Sequence, residues 1–289
     1  MPHFLGILFA FVALISWGFG DFFIQQTIRA IGSWKSLFFI GATGFVALFP
    51  FVYDDLFVLD AMDLLLLCVL GIVVLFTTLF DFEALREGKI AVVEPVIGLE
   101  LPITVGLSMT VARESLSLSQ IFVIGLIFIG IMCAITTHWT HLHHRRMLEK
   151  GIILAGMGAI GMALCSFLVG ISSRSISPLV TIWFSHSLLA VVCIAYLAAA
   201  KELPSLVSSM RKYPRLILSQ SVLDNAAWVA FATATTFVPI AIAATISESY
   251  VALAVLLGIF VNREKLKPHQ LAGILLAVAG AIALSYISS

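Results

Sequence analysis

The stretch from Ala84 to Glu114 constrains this chain most, because it is largely apolar yet carries two carboxylates, Glu94 and Glu100, and two prolines, Pro95 and Pro102. In a bilayer a run of this length spans a hydrocarbon layer of ~30 Å, and acids and prolines inside it are tolerated where they line a cavity or a helix contact. The run also recurs. A shift of 150 positions lays it on Ala234 to Glu264, matching Ile90 with Ile240, Ala91 with Ala241, Val105 with Val255, Leu107 with Leu257 and Arg113-Glu114 with Arg263-Glu264. A shift of 145 aligns what precedes it, placing Gly6 on Gly151, Phe22 on Phe167 and Arg29 on Arg174. The chain is a tandem repeat.

Apolar runs separated by short polar breaks give ten candidate spans, near 4–28, 34–53, 62–83, 90–111, 118–137, 151–173, 178–199, 215–237, 240–261 and 268–287. The expected fold is therefore an all-α membrane protein of ten transmembrane helices. Composition agrees: 61% of residues are hydrophobic and 11% charged, against about 25% charged in an ordinary soluble domain. Mean hydropathy is +1.11. Residues 1–137 form a first five-helix repeat, 138–150 a basic connector and 151–289 a second repeat. Five is odd, so the second copy is expected to enter the membrane inverted, as in many secondary transporters.

Charge placement tests that inversion independently. Of 16 Lys and Arg residues, all but Arg113 and Arg174 fall in the breaks after odd-numbered spans. The positive-inside rule puts those breaks in the cytoplasm and both termini outside, in a multi-pass protein of the cell (plasma) membrane. The first run lacks a basic leader and a small-residue cleavage site, so it reads as a retained span. Cys68, Cys133, Cys165 and Cys193 sit singly in apolar runs, without a CxxC pair, and read as packing residues. A net charge of zero argues against a nucleic-acid partner.

Trp17, Asp21 and Gln25 stack on one face of span one, and a carboxylate there is costly unless protonated, paired or wet. The second copy offers Met162, Ser166 and Gly170 at these positions, so a cavity between the copies is expected to be chemically lopsided. Glu94 and Glu100 lie six residues apart and point about 120° apart around a helix. Pro102 cannot donate to the Gly98 carbonyl, which leaves a bare acceptor beside Glu100 that suits a proton, a cation or an ammonium group. A proline kink repaired by a neighbouring hydroxyl is the competing reading. Span three ends in Thr77, Thr78, Asp81 and Glu83, of which Asp81 is best placed to face inward. The second half adds His186 in span seven, Asp224 and Trp228 at i, i+4 in span eight, and Glu248 with Tyr250 in span nine. Asp21, Glu94, Glu100, Asp224 and Glu248 thus lie in apolar runs that hold no clear Lys or Arg. Five like charges cannot gather in a low dielectric, so some must hold protons or meet a cation.

Two motifs mislead. His138, His141, His143 and His144 do not have the spacing of a closed metal site, and beside Arg145 and Arg146 they read as a basic connector near lipid head groups. Gly18 to Asp21 has the GxGD pattern of intramembrane aspartyl proteases and Tyr53-Asp54 supplies a YD, but the order is reversed and no PAL motif follows. Small residues at contact spacing, Gly273, Ala277 and Gly280 in span ten and Gly125 with Gly130 in span five, read as helix-packing positions.

The full-length five-plus-five repeat, Trp17-Gly18 in span one, the ending VARESLS after span four and its echo VNREKLKPHQLAGILLAVAGAIAL together resemble the drug/metabolite transporter superfamily, specifically its EamA-type tandem members. The resemblance implies alternating access around a cavity lined by spans one, three, four, six, eight and nine, with five and ten as scaffold. It implies export of amino acids, nucleobases, sugars, lipophilic cations or drugs, often against protons. It also implies cytoplasmic termini, opposite to the charge count. Span nine departs from the pattern in having Ala252 where span four has Pro102.

The expected function is secondary transport of a small metabolite, amino acid or drug-like solute, with Trp17, Asp21, Gln25, Asp81, Glu94, Glu100, His186, Asp224, Trp228, Glu248 and Tyr250 as candidate substrate or proton sites and no cofactor or metal. Expected partners are the small-molecule substrate and membrane lipid. An intramembrane enzyme using Asp21 and a second carboxylate, and a lipid-flipping or accessory subunit, remain as alternatives.

Overall fold

A computed structural model describes residues 2–87, 96–136, 150–253 and 267–288, with the side chains at 82, 83, 85–87 and 150–152 excepted. All regular structure in these residues is helical. The first repeat holds α1 (Pro2–Ile31), α2 (Ser33–Val52), a 3-10 turn (Asp55–Phe57), α3 (Ala61–Glu87), α4 (Glu100–Thr110) and α5 (Leu118–Ile135). The second holds α6 (Lys150–Ser175), α7 (Pro178–Ala199), a short α8 (Leu203–Lys212), α9 (Pro214–Phe237), α10 (Ile240–Glu248) and α11 (Pro268–Ile287).

Seven of these helices are long and apolar enough to cross a membrane: α1, α2, α3, α5, α6, α7 and α11. The 24-residue α9 is long enough, but Gln220, Asp224 and Asn225 make its middle more polar. Hydrocarbon leaves no water for unpaired peptide groups, so helices that satisfy their own backbone are the economical way for such apolar runs to fold. Proline opens α7, α9 and α11, where its missing N–H costs nothing. Gly32, at φ 86°, turns the chain between α1 and α2.

Two expectations change here. Spans four and nine are each interrupted, by a turn at Gly98-Leu99 before α4 and a turn at Ser249 after α10, and the 150-residue shift makes these neighbouring positions equivalent. Pro102 falls in the first turn of α4, where no N–H is needed, and the turn takes up the bend. The interruption after α10 has no proline behind it. Residues 88–95 and 254–266, the outer parts of those spans, and with them Glu94, lie outside the described residues, as do the connector histidines. Second, the break between spans seven and eight folds as α8, with only Leu206 and Ser209 buried.

Packing repeats the sequence symmetry. The main pairs are α1 with α9, α3 with α6, α2 with α7 and α5 with α11, and exchanging the two copies maps this set onto itself. The two pairs of equivalent helices that touch, α5 with α11 and α2 with α7, run antiparallel. In α5 and α11, Ile127 lies beside Gly280 while Gln270 Nε2 donates to the Ala134 carbonyl at 3.1 Å. In α2 and α7, Trp34 stacks on Tyr196 at 3.9 Å, whereas Trp183 Nε1 donates to the Phe45 carbonyl at 3.0 Å. The α5–α11 crossing needs glycine: a Cβ on Gly130 would stand 2.8 Å from the Ala277 nitrogen, and one on Gly273 2.6 Å from the Ala134 nitrogen. Gly125, expected to join that contact, has nothing within 4 Å of its would-be Cβ.

Candidate functional site

A cavity of about 750 Å³ runs into the bundle between the two repeats, within the range of small-molecule pockets. Its long wall is one face of α1, where Trp17, Asp21, Ile24, Gln25, Ile28 and Arg29 follow at helical spacing. Twelve residues of helix from Trp17 to Arg29 rise about 18 Å, so the face leads from a buried aromatic end to the exposed α1–α2 connection at Arg29 and Gly32. That connection is the mouth.

The interior is acidic. Asp21 on α1, Asp81 on α3, Glu100 at the start of α4, Asp224 on α9 and Glu248 at the end of α10 all line it. Glu100 lies within electrostatic reach of Glu248, Asp81 and Asp21, and Asp21 within reach of Asp224 and Glu248. Among the described lining residues the only Lys or Arg is Arg29, at the mouth. Ser166 Oγ, at the position equivalent to Asp21, donates to Glu100 Oε1 at 3.1 Å. The glycines of α6 admit the α3 side chains: Asp81 reaches over Gly158 and Thr77 over Gly161, each occupying the space a Cβ would need.

His186 is held in one tautomer. Asn225 Nδ2 donates to the carbonyls of Ile40 at 3.0 Å and Ser221 at 2.8 Å, which fixes its Oδ1 as an acceptor. His186 Nδ1–H donates to that oxygen at 2.7 Å, leaving Nε2 as an acceptor. The far end is aromatic. Trp17 meets Trp228 edge-on at 5.0 Å and packs against Phe231 at 5.7 Å and Tyr250 at 6.1 Å. With Gln25 and His186 on the same lining, every sequence candidate in the described residues faces this one cavity.

Sequence reasoning missed the other end of the bundle. Glu114, just past α4, pairs through Oε1 with Arg174 Nη1 at 2.7 Å, and its side chain is 8% exposed against 33% for the arginine. Glu114 also accepts from the backbone N–H of Ile240 at 2.8 Å and Ala241 at 3.3 Å, which caps the start of α10, and from the Ser108 hydroxyl. A carboxylate at a helix N-terminus is favoured by the helix dipole. Arg174 in turn donates to the carbonyls of Thr235 at 2.6 Å and Val238 at 2.9 Å. Arg113, at φ 54°, provides the left-handed turn that brings Glu114 back over the bundle. This latch ties α4, α6, α9 and α10 together at the face opposite the mouth, where Gly6 near the start of α1 meets Phe237 and Val238. The available signal was that Arg174 is one of only two basic residues in the breaks after even-numbered spans.

Among the described residues, no group of three or more His, Cys, Asp or Glu is arranged to hold a metal ion. No curated protein matches the chain by sequence. A protein of known crystal structure superposes with a TM-score of 0.73 at 15% identity, over 98% of this chain and 98% of that one, which is a likeness of fold. The model of the EamA-like transporter family matches twice, over residues 4–136 and 149–286. The chain is a multi-pass membrane protein built as a tandem repeat, and it belongs to the EamA-like transporter family.

Proposed function

We propose that the protein is a ten-span secondary transporter of the cell membrane that exports a small solute by alternating access in exchange for protons. The observation that carries this reading is a cavity open at one face of the bundle, past Arg29 and Gly32, and tied shut at the other by Glu114 and Arg174. Interruptions at equivalent places in spans four and nine, and the antiparallel course of the equivalent helices that touch, support two inverted five-helix repeats rocking about a shared site. The mouth lies among Arg29, Lys35 and Lys201, on the side rich in basic breaks, so by the positive-inside rule it opens to the cytoplasm, as an exporter waiting for substrate requires.

Proton exchange is the reading that the acids support. Among the described residues, the groups within electrostatic or hydrogen-bond reach of Glu100 include Asp21 from α1, Asp81 from α3, Cys165 and Ser166 from α6 and Glu248 from α10, and none of these is a base that would fix its charge. Binding a proton and binding a cationic or dipolar solute then become alternatives at one acidic surface. Flux through proteoliposomes with an imposed pH gradient tests this, comparing the wild type with Asp21→Asn and Glu100→Gln. The reading predicts gradient-driven accumulation in the wild type and loss of its pH dependence in at least one variant. Identical pH profiles in all three would remove proton coupling, and no flux of any solute would remove transport.

A further inference from the structure

The repeat builds the cavity wall twice, and the two copies carry different chemistry. One wall is α1 with α9 and α10; its equivalent is α6 with α3 and α4, and both sets pack together as the symmetry requires. The 145- and 150-residue shifts place Trp17 opposite Met162, Trp228 opposite Thr78 and Tyr250 opposite Glu100. Three aromatic rings on one wall are therefore matched by a thioether, a hydroxyl and a carboxylate on the other.

The acid at the aromatic wall is poised for a partner. Asp224 is 8% exposed, lines the cavity one helical turn from Trp228, and makes no hydrogen bond or salt bridge among the described residues. A nine-tenths buried carboxylate without a donor is expensive, and a cation arriving beside it recovers that cost. Ring faces attract the same kind of ligand, since a cation within about 6 Å of a tryptophan face gains roughly 0.5–2 kcal/mol, more as water is excluded. An anionic solute meets the reverse, since the described lining residues hold five carboxylates inside and a single Arg, Arg29, at the mouth.

We propose that the transported solute is an organic cation, an ammonium group carried on an apolar or aromatic body, and that its charged end binds between Asp224, Trp228 and Trp17 on the α1–α9–α10 wall. This deepens the transport reading and rests on it. The thioether and hydroxyl of the opposite wall leave room there for the rest of the solute.

The test is calorimetric binding to the purified full-length protein of three probes of similar size: benzyltrimethylammonium, neutral benzamide and anionic phenylacetate. A permanent cation keeps its own charge at every pH, so any proton exchanged on binding comes from the protein's acids. The proposal predicts that benzyltrimethylammonium binds at least tenfold more tightly than the other two. Trp228→Leu and Asp224→Asn should each weaken it fivefold or more, Trp228→Phe distinctly less, with the melting temperature checked for each variant. Equal binding of the three probes, preference for phenylacetate, or unchanged affinity in both folded variants would overturn it. Charge-selective binding without flux of any solute would sink the transport reading alone, whereas robust solute flux without charge preference would sink the substrate class alone.

Discussion

Removing the charge of Glu114 should open the closed face. Glu114→Gln keeps an oxygen that can accept from the Ile240 N–H, but loses both the attraction to Arg174 at 2.7 Å and the favourable charge at the start of α10. A partly exposed ion pair contributes up to about 1 kcal/mol, and a carboxylate at a partly buried helix terminus 0.3 to about 2 kcal/mol. Part of that sum is recovered by the remaining hydrogen bonds. A loss of about 1–2 kcal/mol shifts the balance between the two faces by a factor of roughly 5–30. Spin labels at Val111 and Thr236, both exposed near the latch, report the opening as a population of longer distances, in a background with the four cysteines replaced. Arg174→Gln should act in the same direction, and the double variant should fall short of the sum of the two by about the share of the pair, because the pair is lost once. An unchanged distance distribution in both single variants, or full additivity in the double, would refute the latch.

Three further outcomes follow from the packing. Gly130→Leu should lower thermal stability by about 1–3 kcal/mol through overpacking against α11, whereas Gly125→Leu should stay within about 0.5 kcal/mol, because its Cβ meets nothing within 4 Å; thermal melts in one detergent compare them. Asn225→Ala should cost about 1–3 kcal/mol by leaving His186 Nδ1–H without its acceptor and the Ile40 carbonyl without that donor, measured the same way. Ser166→Ala removes the donor to Glu100 and should alter the pH profile of flux while leaving the melting temperature within a few degrees.

Most of the helical framework was legible because hydrocarbon allows so few solutions: eight of the ten expected spans appear as helices within a few residues of their expected ends. The candidate residues were legible for a related reason. Acids in apolar runs are costly on a lipid-facing surface, and Asp21 and Asp224 both turn inward to one cavity, which Trp17 and Trp228 also line. What stayed hidden depends on tertiary geometry. The turn at Ser249 has no proline to announce it. Glu114 and Arg174 lie 60 residues apart in break regions and become a pair only when α4, α6 and α10 converge. The hydrogen bond of Ser166 to Glu100 likewise joins two spans that sequence spacing cannot relate.

The most direct test of a cavity reached from one face at a time is the labelling of a single cysteine at Thr78, on the cavity wall, by an impermeant maleimide applied to either side of oriented vesicles. The account predicts reaction from the face bearing Arg29 in the resting protein, with access moving to the opposite face in Glu114→Gln. Reaction at equal rates from both faces regardless of the latch, or from neither, would contradict it.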